Sequence, residues 1–190
     1  MDLTLKDKTL KTAERYTQQG KFDAAINEFR KVLDASPNDL TVANTVGDLY
    51  ARTGRNDEAI RQYQYVAEHF EGGGFRVKAI AMYKKVLKLD ADNETAALRL
   101  AELYARQNLI GEAAQMYGIA AEAHRRDGRV REALKMLKKA ADLDPTNLKS
   151  RLELAQSYDR EGFAAEASET FRALGSELVR AGSVADGIPH

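Results

Sequence analysis

With 190 residues, 29 basic against 29 acidic side chains and an apolar fraction of 44%, the chain is long enough for one or two domains with a core. Its neutral balance offers nothing to draw a nucleic acid or an anionic membrane. The absence of cysteine excludes disulfides, thiol catalysis and cysteine metal sites, and leans to a cytoplasmic setting. The first residues, MDLTLKDKTLKTAERY, lack the basic start and apolar run of a signal peptide, and no stretch suits a membrane span or membrane insertion.

The chain is written in copies. GKFDAAINEFRKVLDASPND from Gly20, GFRVKAIAMYKKVLKLDADN from Gly74 and GRVREALKMLKKAADLDPTN from Gly128 follow one another at a spacing of 54 positions. A fixed period of this size signals a repeat array rather than a single enclosed core. Thr9, Ala13 and Tyr16 share one face of a first helix near 5–19, which Gly20 ends. Ala25, Phe29, Val32 and Leu33 form the apolar stripe of a second, antiparallel helix. Ser36, Pro37, Asn38 and Asp39 then read as a helix start, with Ser36 as cap and Pro37 at the first helical position. Ala43, Val46, Gly47 and Tyr50 line a third helix, in which Gly47 lets a neighbour approach closely. Further helices near 56–71, 75–89, 93–107, 110–126, 129–143, 147–161 and 164–181 complete a count of ten. Gly182 aligns with Gly128 and Gly74, but SVADGIPH cannot supply the next helix. The expected division is therefore a repeat domain over 1–182 and a disordered tail, or a truncation point of a longer chain, over 183–190.

These residues resemble the tetratricopeptide repeat family. Its pattern of a large residue, Leu-Gly, Tyr, Ala, an aromatic and Ala is met by Ala43, Val46, Gly47, Tyr50, Ala59, Tyr63 and Val66. Two further copies are Ala97, Leu100, Ala101, Tyr104, Ala113, Tyr117, Ala120 and Arg151, Leu154, Ala155, Tyr158, Ala167, Phe171, Leu174. The resemblance spans residues 5–182 and is bacterial in style. It implies an all-α fold, a right-handed superhelical solenoid of about ten antiparallel helices. The spacing departs from the family's usual repeat of about 34 residues. Ala59, Ala79 and Ala113 are separated by 20 and then 34 positions, so motifs overlap and the helix near 56–71 serves two of them.

Little in the sequence points to chemistry. Gly72–Gly74 lack the Lys and Ser or Thr of a phosphate loop and read as a helix break. His69, His124 and His190 have no second ligand at helical spacing, so no metal and no cofactor are expected. Tyr50, Tyr104 and Tyr158 sit at a packing position. No nucleophile has a base beside it, and the chain reads as a non-enzyme.

The resemblance implies instead a scaffold for a protein or peptide partner, contacted through the first helix of each motif. The face that helix exposes carries Thr41, Asn44, Asp48 and Arg52, then Thr95, Leu98, Glu102 and Arg106, then Lys149, Leu152, Gln156 and Arg160. Acids recur along the array at Glu14, Asp48, Glu68, Glu102 and Glu122, a ladder suited to a helix or extended peptide with basic and apolar groups. The carboxylate clamp of chaperone-tail binders is not expected, because Asp48, Leu98 and Glu102 stand where that clamp needs cations and amides. Two alternatives are a peptide-sensing regulatory module and a homo-oligomer formed through the apolar end at Phe171, Leu174, Leu178 and Val179. Neutral charge argues against an RNA-reading repeat.

Overall fold

A computed structural model describes residues 3–185, and within them ten α-helices and no strand. They are α1 (Leu3–Gln18), α2 (Phe22–Ala35), α3 (Leu40–Arg52), α4 (Asn56–Gly72), α5 (Arg76–Leu89), α6 (Glu94–Ala105), α7 (Ile110–Arg126), α8 (Val130–Leu143), α9 (Leu148–Arg160) and α10 (Ala164–Ala185). Their contacts gather into two compact units that divide after Ala91, one with α1 to α5 and the other with α6 to α10.

The helix starts correct one reading of the sequence. Ser36 closes α2, its N–H bonded to the Val32 carbonyl, and α3 begins after Asp39. The side chain of Asp39 accepts the Val42 N–H at 3.1 Å, and Asn93 and Asn147 do the same for Ala96 and Ser150 at the starts of α6 and α9. A short acceptor at this position satisfies a donor that the helix cannot, so the cap lies at the end of the SPND motif and not at its serine. Burial pushes the Asp39 carboxyl up, but hydrogen bonds from Lys6 and the Val42 N–H outweigh it and hold the group below the usual aspartate value. At the α6–α7 corner Asn108 adopts φ 58°, where the other copies have Gly54 and Gly162 at φ 75° and 80°. Asparagine tolerates this left-handed conformation better than other residues with a side chain.

In the first unit α4 packs on both α3 and α5. Ala59, Tyr63, Val66 and Ala67 are its buried residues, and they meet the stripes Val42, Ala43, Val46, Gly47 and Ala79, Tyr83, Val86. One helix face thus closes two neighbouring motifs, as the overlapping spacing requires. In the second unit α7 has the same role between α6 and α8, through Ala113, Tyr117, Ala120 and Ala121. Fully burying one such aliphatic or aromatic side chain contributes about 1.5–3 kcal/mol, so these stripes supply the main favourable term in both units.

Three expectations change near the end of the chain. Tyr50 and Tyr104 are buried, but Tyr158 is only half-buried. Leu174, expected on an exposed apolar end, is 6% exposed. It occupies the position of Val66, and α9 is the helix that packs closely on α10, so Leu174 belongs to that contact. The α10 backbone also stays helical past Gly182 to Ala185, whereas the sequence places its end near 181. The remainder of the expected tail, 186–190, lies outside the described residues.

Candidate functional site on α3, α6 and α9

The predicted contact row begins on α3, where the structure gathers a polar cluster. Lys85 of α5 donates to Asn44 Oδ1 at 2.8 Å and to Asp48 Oδ1 at 2.6 Å. The Tyr63 hydroxyl of α4 donates to that same Asp48 oxygen at 2.6 Å, and the Lys85 ammonium lies 4.8 Å from the Tyr63 ring centre. Asn44 and Asp48 are therefore joined into one network across three helices. Arg52, the next residue of the row, is exposed at its guanidinium and lies over the Phe22 ring at 4.7 Å.

Burial first, and then the bond to Asp48, push the Tyr63 hydroxyl far above the usual tyrosine range. Burial raises Tyr117 and Tyr158 as well. A raised folded-state pKa means that the neutral phenol is favoured in the fold. The corresponding stability is fully present below the unfolded value of about 10 and is lost as pH rises through the folded values. The unfolding midpoint is thus expected to fall above pH ~10, and Tyr63→Phe to lessen that fall. Denaturant titration at several alkaline pH values measures both.

On α6, Leu98 and Glu102 are half-buried and Arg106 is exposed. Glu102 pairs within its own helix with Arg99 at 3.4 Å. Lys139 of α8, the counterpart of Lys85, lies 5.5 Å from the Tyr117 ring centre, so the cation–ring contact recurs while the asparagine arm is replaced by Leu98. On α9, Leu152 is 43% exposed, and Gln156 and Arg160 are exposed. Thr41, Thr95 and Lys149 at the helix starts also face solvent. Among the acids of the ladder, Glu14, Glu68 and Glu122 are exposed, and Glu122 is paired with Arg125 at 2.8 Å.

Sequence reasoning missed Lys85 and Tyr63 as partners of this row. Lysine does recur at Lys31, Lys85 and Lys139, 54 positions apart, and an aromatic recurs at Tyr63, Tyr117 and Phe171. Recurrence at the repeat period was the available signal. A second polar cluster was also missed. Arg129, the residue just before α8, donates to Glu94 of α6 and at 2.7 Å to Asp127, while His124 Nε2 stands 3.5 Å from Glu94. The Arg129 hydrogen bond holds the Glu94 carboxyl below its ordinary range. His124 is buried and its Nδ1 has no hydrogen-bond partner. Glu94, His124 and Arg129 stand at the repeat positions of Leu40, Phe70 and Phe75, so polar side chains here replace apolar ones. Among the described residues no three His, Cys, Asp or Glu side chains converge as metal ligands, and no helix is long and apolar enough to cross a membrane. His190 lies outside the described residues.

Family models described as tetratricopeptide repeat match residues 10–74, and again 77–131 and 124–180. A curated relative, DnaJ homolog subfamily C member 3 of Bos taurus, is 26% identical over 128 residues, which is 67% of this chain and 22% of that protein. The chain thus spans about a fifth of the relative's length. Similar solved structures include BtubC from P. vanneervenii, at 16% identity and TM-score 0.43, with 94% of this chain and 80% of that one covered. MamA from Desulfovibrio magneticus RS-1 is 18% identical at TM-score 0.32, with 93% and 96% covered.

Proposed function

Because the chain belongs to the tetratricopeptide repeat family, we propose that it is a non-catalytic scaffold binding a partner helix or extended peptide on the outward residues of its first helices, α3 in the first unit and α6 and α9 in the second. The observation that carries this reading is Leu152, a leucine 43% exposed at the position of Asn44 and Leu98, one turn after Leu148, which is 42% exposed. With Arg52, Arg106 and Arg160 one turn or two beyond, the row offers apolar contact, carboxylates and guanidinium groups at the repeat spacing. A cytoplasmic setting is what the cysteine-free composition favours. The test is a peptide selected from a display library on the wild-type protein. Its affinity should fall at least tenfold for Glu102→Lys and for Leu152→Glu, neither of which removes a buried side chain. Unchanged affinity for both variants sinks the proposal.

A second reading, self-association through α10, rests on Phe171, Leu178 and Val179, which are 39%, 55% and 72% exposed. They occupy the repeat positions of Tyr63, Phe70 and Glu71, of which Phe70 and Glu71 meet α5 through Lys78, 5.4 Å from the Phe70 ring centre, and the Tyr83 hydroxyl, 3.3 Å from Glu71. Light scattering across a wide concentration range should then show a dimer that Leu178→Glu with Val179→Glu returns to monomer. A monomer at every concentration rejects this reading.

A further inference from the structure

We propose that a cavity bounded by α7, α8 and α9 receives an aromatic side chain of a protein partner. The cavity holds about 250 Å³ and opens to solvent. Its floor is Ala121, Ala133, Leu134 and Leu137, and charged side chains stand at its mouth, Arg160 among them.

The repeat explains why there is space. The helices α1, α2 and α3 carry the same positions 108 residues earlier, and Ala13, Ala25 and Ile26 there match Ala121, Ala133 and Leu134. At the rim Thr17, Thr45 and Thr53 become the longer, charged Arg125, Glu153 and Glu161, but four other positions all lose volume. Leu10 becomes Gly118, Phe22 becomes Val130, Phe29 becomes Leu137 and Leu49 becomes Ser157. Phe29 and Leu49 are buried in the first copy, whereas Leu137 and Ser157 border an opening in the last. Gly118 needs no special backbone conformation, and a Cβ built there meets no heavy atom within 4 Å. These four losses on three helices are accompanied only by gains of charged side chains, which do not fill an apolar space as a compensating apolar residue in a repacked core does.

The shape of the loss names the occupant. Two of the four missing side chains are phenylalanine rings. Arg52 lies over one of them, Phe22, at 4.7 Å. Arg160 is its counterpart and lines the cavity together with Val130, which stands where the first copy has the ring. An aromatic side chain entering from a partner would restore the apolar filling and give Arg160 the ring that Arg52 already has. Burial of an aromatic group together with a cation–π contact is the kind of anchor that dominates protein interfaces.

This inference rests on the protein-binding role of the family but needs no other part of the proposed row. The probe is N-acetyl-tryptophanamide, followed through the amide NMR signals of the isotope-labelled 190-residue chain. Saturable shifts are expected at Gly118, Val130 and Ser157, with a Kd on the order of 0.1–1 mM for a single side chain. Val130→Phe and Ser157→Leu each put back a residue that the first copy holds at that position. Each should weaken binding at least tenfold and leave the fold as stable or more stable by thermal unfolding. If one variant fails to fold, the other carries the test. Arg160→Met should weaken binding about threefold, within the range of one cation–π contact. Glu102→Lys, which probes the proposed row, should bind as the wild type does, so failure of that row would be visible separately. The inference is overturned if the shifts do not saturate, if both filled variants bind as well as the wild type, or if N-acetyl-leucinamide binds equally tightly.

Discussion

Replacing Tyr83 with alanine is expected to destabilise the protein by about 3–5 kcal/mol, the range for removing a fully buried aromatic ring. Tyr83 is 0% exposed and is the largest of the fully buried side chains. It sits at the middle of the α5 stripe, between Ala79 and Val86, and its hydroxyl reaches Glu71 of α4 at 3.3 Å. Two terms add in this loss. The ring's burial disappears, and α4 and α5 cannot close on the space without disturbing the α3–α4 contact that shares the same helix. Stability in a repeat array passes between neighbours, so the damage should spread beyond α5 and lower the midpoint of the whole transition. For a chain of this length a loss near 4 kcal/mol corresponds to a Tm lower by roughly 10 °C. Tyr83→Phe keeps the ring and should lose only about 1 kcal/mol, the worth of one hydrogen bond. Urea unfolding of the two variants beside the wild type separates packing from bonding. Equal losses would show that the hydroxyl, and not the ring, holds α5 in place.

The contrast between helices and contacts explains what could be read from the sequence. A 54-residue period repeated with its glycines and alanines fixes where helices start, stop and turn their apolar faces, because those choices depend on residues within one or two turns. The double duty of α4 also followed, since Ala59, Tyr63 and Val66 sit at spacings that serve one neighbour and Tyr63, Val66, Ala67 and Phe70 at spacings that serve the other. The cap was misplaced because Ser36 and Asp39 are both good acceptors, and only the backbone decides which of them precedes the first helical turn. Leu174 was misplaced for a different reason. A helix at the end of a described array has one packed side and one open side, and composition alone does not say which leucine lies on which. The network of Asn44, Asp48, Tyr63 and Lys85 escaped because its members are up to 41 positions apart, and their meeting depends on how three helices pack. The cavity beside Gly118 was least legible, since it is defined by side chains that are smaller than their repeat counterparts.

Leucine in place of Gly47 should destabilise the first unit by about 3 kcal/mol, at the upper end of the usual penalty for overpacking. Even a Cβ at Gly47 would stand 2.8 Å and 3.0 Å from two ring carbons of Tyr63 and 3.2 Å from Gln62 Cβ. Alanine adds a smaller conflict. It gains about 1 kcal/mol of helix propensity over glycine, against an overpacking penalty of about 1–3 kcal/mol, so Gly47→Ala should also destabilise, by about 1 kcal/mol. The next copies carry Ala101 and Ala155 at this position, both fully buried, which makes the clash at 47 informative. At Ala101 the facing ring is Tyr117, and its hydroxyl makes no hydrogen bond to Glu102 comparable with the 2.6 Å bond from Tyr63 to Asp48. Asp48 and the Lys85 ammonium hold the Tyr63 ring over the α3 backbone, and glycine is what leaves room for it there. Removing the hydroxyl should free the ring to shift as Tyr117 can. In a double-mutant cycle, Gly47→Ala is therefore expected to destabilise a Tyr63→Phe background less than the wild type, with a coupling of about 1 kcal/mol. Additive losses would mean that the ring is held by packing alone. The polar network of the contact row would then have no part in setting the distance between α3 and α4.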